Sequence, residues 1–187
     1  MEKTVRDIFA ESIVVKQATL AKNCSQIVRA AQSVLTAFKG GHKVFFFGNG
    51  GSAADSQHIA AEFIGRFQKE RKSWPAIALT TDTSILTALG NDYNFDIVFA
   101  RQLEGLGQKG DVAFAISTSG NSKNVLAGVK QARAMGMTTI GVTGGTGGAL
   151  ASACDMTIVA ASSKTARIQE THLCIFHAIC EIVENAL

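Results

Sequence analysis

The chain has 187 residues, 47% of them hydrophobic and 18% charged, enough apolar side chain to fill one domain over residues 1–187. A formal net charge of +3 is too small for a nucleic-acid or membrane surface, so neither partner is expected. Cysteines at 24, 154, 174 and 180 form no C-x-x-C pair and read as reduced thiols of a cytoplasmic protein.

Residues 1–7 lack the layout of a signal peptide, and no apolar run nears the ~20 residues of a membrane helix. Residues 5–38 carry apolar positions at helical spacing, from Val5, Ile8 and Phe9 to Val34, Leu35 and Phe38. Asn23 to Ser25 offers a break, which predicts two N-terminal helices, ended by Gly40-Gly41. Val44–Phe47 is short and wholly apolar, as a strand buried on both faces should be. Ala76–Leu79, Val112–Ile116, Thr139–Val142 and Met156–Val159 repeat that pattern. Helical stretches lie between them at about 53–66, 95–106, 122–135 and 165–186. Alternating strand and helix predicts an α/β fold, a doubly wound, parallel five-stranded sheet flanked by helices in the flavodoxin-like manner.

In that fold ligands bind beyond the carboxyl ends of the strands. Gly48-Asn49-Gly50-Gly51-Ser52 follows the first strand, and Ser117-Thr118-Ser119-Gly120-Asn121-Ser122 follows the third. Glycine allows close approach of backbone to an anion, and hydroxyls donate without adding charge. Four hydroxyls in six positions exceed what a helix N-cap requires, so the second loop reads as a phosphate cradle. Gly48-x-Gly50-x-x-Ala53 with the later Asp82 also matches a dinucleotide fingerprint, but that reading gives the second loop no task.

His58 and Glu62 share a helix face one turn apart. Gln169 and His177, eight positions apart on the last helix, would have Cα atoms ~12 Å apart. A carboxylate and an imidazole suit an aldose–ketose isomerisation, one moving a proton between carbons and the other between oxygens. The two imidazoles, the carboxylate and the amide oxygen are also a conceivable Zn²⁺ set. His172 falls on a different face and reads as structural.

Residues 48–58, Gly90-Asn91-Asp92, Ile116–Ser122 and Arg167-Ile168-Gln169-Glu170 together resemble the sugar isomerase (SIS) domain family over almost the whole chain. The resemblance implies an isomerase acting on sedoheptulose 7-phosphate and its aldose, D-glycero-D-manno-heptose 7-phosphate. That is the entry step toward activated heptose for lipopolysaccharide or a capsule. It assigns Ser52, Ser117, Thr118, Ser119 and Ser122 to the phosphate, and Asn49, Gly50, Gly51, Asn91, Asp92 and Gln169 to other substrate contacts. Glu62 becomes the carbon base and His177 its acid–base partner, while His58, Glu62, Gln169 and His177 become the zinc ligands. It further implies a homotetramer with sites between subunits, the partner chain bringing the C-terminal helix to the first loop. A non-catalytic relative, the DnaA initiator-associating protein, lacks the glutamate and the second histidine. Ala166 and the surrounding Thr165–Glu170 lean toward it, and Glu62 with His177 lean toward the enzyme.

Overall fold

The computed structural model describes residues 1–187. Its elements are α1 (Glu2–Lys39), β1 (Val44–Gly48), α2 (Gly51–Ile64), β2 (Ala76–Ala78), α3 (Thr83–Asp92), a 3₁₀ turn (Phe95–Ile97), α4 (Val98–Leu106) and β3 (Val112–Ile116). α5 (Lys123–Ala134), β4 (Thr138–Gly144), α6 (Leu150–Ala153), β5 (Met156–Ala160) and α7 (Thr165–Ala186) complete it. All five strands are parallel, in the order β2-β1-β3-β4-β5. Strand order reverses between β1 and β3, the switch point at which such sheets open a crevice.

Strand alternation splits the apolar runs between two faces. Phe46, Phe114, Ile116 and Val142 point toward α1, α2 and α7, where they meet Val34, Ile59 and Phe176. Phe45, Phe47, Ala113 and Ala115 point the other way, toward Phe99 and Leu103 of α4 and Val125 and Val129 of α5. Phe46 stacks on Phe114 with ring centroids 5.1 Å apart. Burying a Phe of this kind contributes about 1.5–3 kcal/mol, so the consecutive aromatics of β1 hold both layers on one strand.

The N-terminal segment is one 38-residue helix rather than two. Asn23, taken from the sequence as a break, is instead buried against the sheet. Its amide donates to Val159 O (3.1 Å) and accepts from Val159 N (3.1 Å), so a polar residue serves a tertiary contact without interrupting the helix. α3 and the short α6 have no counterpart among the helices that the sequence pattern predicts. The cap of α3 was visible: the Asp82 carboxylate accepts from Ile85 N at 2.9 Å, as N-cap residues do. The cap gives Asp82 a structural task that needs no dinucleotide.

Candidate active site

Register places the two glycine- and hydroxyl-rich loops side by side, since Gly48 of β1 lies opposite Ile116 of β3. Gly50, at φ 56°, turns the chain into α2, a backbone region only glycine enters freely. The amides of Asn49 and Asn124 exchange two hydrogen bonds of 2.8 Å and lock the first loop to the start of α5. Neither α2 nor α5 has a side-chain cap at its N-terminus. Ser122 occupies the N-cap position of α5, yet its hydroxyl turns to Ser117 Oγ at 3.0 Å. Val125 N is served by Asn124 instead. The hydroxyls are therefore free of capping duty, and two helix N-termini with uncapped N–H groups face the same crevice, an arrangement suited to a phosphate.

Ser117 and Ser52 are buried, Thr118 is partly buried and Ser119 is exposed. Ser119 Oγ accepts from Asn121 N at 3.2 Å and shapes the turn. A third loop, 145–149, braces it: Ala149 N donates to Asn121 Oδ1 at 2.9 Å and Leu150 N to Gly120 O at 2.9 Å. The bracing residues Asn121 and Asn124 were not singled out from sequence. Their signal was a pair of asparagines on either side of Ser122.

Below the loops α2 and α7 pack on the same face of the sheet, both leaving its carboxyl edge. They therefore run parallel and meet level by level. At the upper level, a Cβ on Gly51 would collide with the Gln169 amide, so glycine there leaves room for that side chain. One level down, His58 Nε2 lies 3.0 Å from Glu62 Oε1, and the His58 and His177 rings meet edge to face at 5.2 Å. One ligand atom from each of His58, Glu62 and His177 lies within 4.8 Å of the others. His177 Nε2 is buried without a partner.

These groups all belong to one chain. A partner subunit, which the resemblance allows as the carrier of α7, is not required for this meeting, because the parallel course of α2 and α7 brings these groups together within one chain. Asn91 and Asp92 are not brought to the crevice by any hydrogen bond: they are exposed at the end of α3 and bonded to each other at 2.9 Å. His172 is structural as expected, fully buried with Nε2 2.9 Å from Thr143 O. Burial outweighs that bond and lowers its pKa to about 4, so the ring is neutral and ties α7 to the end of β4.

Two imidazoles and a carboxylate at this spacing, one imidazole nitrogen orphaned, fit a zinc-type ion with an open coordination position. Gln169, up against Gly51, makes no hydrogen bond to that trio. Asp55, on the same face of α2, has a buried oxygen without a partner. Burial raises its pKa against the opposing pull of His58.

A parallel sheet with a crevice at its switch point and two uncharged loops beside it is the architecture of a sugar-phosphate-binding α/β domain. The SIS domain family model matches residues 9–144, and the chain belongs to that family. Among known proteins it is 55% identical over 185 residues to the phosphoheptose isomerase of Aquifex aeolicus, covering 99% of this chain and 97% of the relative. It is 57% identical over 157 residues to that of Campylobacter concisus, covering 84% and 83%. The solved phosphoheptose isomerase of Neisseria gonorrhoeae superposes with TM-score 0.93 at 44% identity, over 98% of each chain.

Proposed function

We propose that this chain, working as one sugar isomerase domain, interconverts sedoheptulose 7-phosphate and D-glycero-D-manno-heptose 7-phosphate, the entry step toward activated heptose for lipopolysaccharide or a capsule. Relatives named phosphoheptose isomerase, 55% identical over nearly the full length, support the substrate. The chemistry rests on one observation, the meeting of Glu62 and His177 below a neutral phosphate cradle within one chain.

Ser117, Thr118, Ser119, Ser122 and Ser52 hold the phosphate together with the N–H groups of α2 and α5. Asn49, Gly50 and Gly51 line the path of the sugar, and Gln169 contacts it from α7. Asn91 and Asp92 complete the site from a neighbouring copy. The linear ketose then extends down between α2 and α7 toward Glu62. Its carboxylate takes a proton from C1, giving a cis-enediol, and returns it to C2. His177 gives a proton to O2 and removes one from O1, so the sugar leaves as the aldose with no net proton change. An imidazole and a carboxylate suit both transfers near neutral pH. His58, Glu62 and His177, with Gln169 after a rotation of its side chain, would hold a zinc ion. When bound it would polarise the carbonyl and steady negative charge on the oxygens.

The exposed face of α1 supports assembly into an oligomer. The first half of this helix projects beyond the sheet with Val5, Ile8, Phe9, Ile13 and Val14 all exposed, Phe9 at 67%. Exposed apolar side chains gathered on one helix turn after turn mark an interaction surface, and a homotetramer of this chain would bury them. No helix is long and apolar enough to cross a membrane.

The test is direct. Incubated with sedoheptulose 7-phosphate, the protein should yield the aldose, seen by NMR as a new anomeric signal, and exchange one carbon-bound hydrogen in D₂O. Absence of both would defeat the reading.

A further inference from the structure

Glu184 follows His177 by seven residues on α7 and is 3% exposed at its side chain. It accepts from three successive backbone N–H groups, Phe67 (3.1 Å), Gln68 (2.7 Å) and Lys69 (2.9 Å), and from Arg71 Nε at 3.0 Å. Burial alone would raise its pKa, but the N–H donors of Gln68, Phe67 and Lys69, with Arg71, hold it below the usual carboxylate value. Arg71 in turn closes the open end of α2. Nη2 donates to Glu62 O (2.7 Å) and Nη1 to Phe63 O (2.9 Å), carbonyls a helix terminus leaves without partners. The guanidinium also stacks on Trp74, 3.7 Å from its ring centroid.

The carboxylate satisfies three backbone donors that an apolar group would leave unpaired, so the pair holds the 67–69 loop in place. This pair has a geometric result. Its two ends grip the backbone of Glu62 and the helix of His177, and the loop it ties down presses the Phe67 ring against the His177 ring at 5.4 Å. We propose that Arg71 and Glu184 are positioning residues that fix the spacing of Glu62 and His177, with Phe67 as the contact that orients the His177 ring. The proposal rests on the roles given to Glu62 and His177 above.

The phosphate cradle lies at the other end of α2, so damage to the clamp should appear in kcat and spare KM. Glu184→Gln, Arg71→Lys and Phe67→Ala are each expected to lose roughly ten- to a hundredfold in kcat, with KM within about twofold, since small misplacements of reacting groups cost that much. Phe67→Tyr keeps the ring and should keep the rate. The double variant Glu184→Gln/Arg71→Lys should be no slower than the worse single, as for residues acting as a unit. A merely structural clamp would lower melting temperature and folded yield, with kcat per folded protein unchanged, and that result overturns the proposal. If Glu184→Gln does not fold, Phe67→Ala decides, because it leaves the buried pair untouched: an unchanged kcat overturns the proposal. Glu62→Gln runs in parallel. Loss of turnover there with full turnover in the folded clamp variants overturns the positioning claim alone; full turnover in Glu62→Gln overturns the site assignment and this claim with it.

Discussion

The proposed cradle and the proposed acid–base cluster are built in opposite ways. The cradle is local: two loops from adjacent strands, fixed by reciprocal asparagine amides and by a serine pair. The cluster is made by tertiary packing, with Glu62 and His177 more than a hundred positions apart in sequence and joined only because α2 and α7 run parallel. A binding site for an anion can thus be written into contiguous loops. A pair that must exchange protons with one substrate requires two rigid elements held at a set separation.

Variants at each end should therefore separate binding from turnover. Glu62→Gln is the most severe: kcat should fall roughly 10²–10⁴-fold while substrate affinity, measured calorimetrically, stays near wild type. Affinity falling with the rate would break the distinction. At the cradle, Ser117→Ala should raise KM about tenfold, the loss of one hydrogen bond to a charged group, and change kcat little. Between these stands Gly51→Ala, which forces the Gln169 amide away from α2. An effect on KM and kcat together would mark that level as shared by both regions. Treatment with a chelator, followed by zinc, should abolish and then restore turnover; an unaffected rate would leave His58 with a packing role only.

A last effect falls on folding stability rather than turnover, through the bond that ties α7 to the end of β4. His172 is neutral in the native protein and lowered to about 4 from 6.5, so the unfolded chain binds the extra proton between those values. Its contribution is complete above pH 6.5 and is lost as pH falls toward 4, by up to about 3 kcal/mol. Wild-type melting temperature should drop faster over that window than that of His172→Gln. Parallel curves would exclude His172 as the cause.

The strands were legible because buried parallel strands are unbroken apolar runs, and Val44–Phe47 and Val112–Ile116 leave no other reading. The hydroxyl loop was legible for a related reason, since its composition exceeds what a turn needs. Asn23 misled because a polar residue within a helical pattern looks like a break unless its distant partner, Val159, is known. α3 escaped notice because none of its residues is buried, which leaves a weak pattern. The Gln169–His177 interval of eight looked too long for one shared ligand; only the parallel helix course shows that Gly51 and His58, seven apart on α2, lie opposite them. Asn91 and Asp92 carry no such cue within one chain.

The Asn23 contact has a consequence for solubility. β5 is the last strand of the sheet, and its outer peptide groups are a template on which a foreign chain could grow. Asn23 offers Val159 one carbonyl and one N–H, as a neighbouring peptide would, and Thr19 Oγ1 accepts from Ala161 N one step further along. α1 thus acts as a counterfeit sixth strand, and Asn23→Leu would leave the sheet's rim bare.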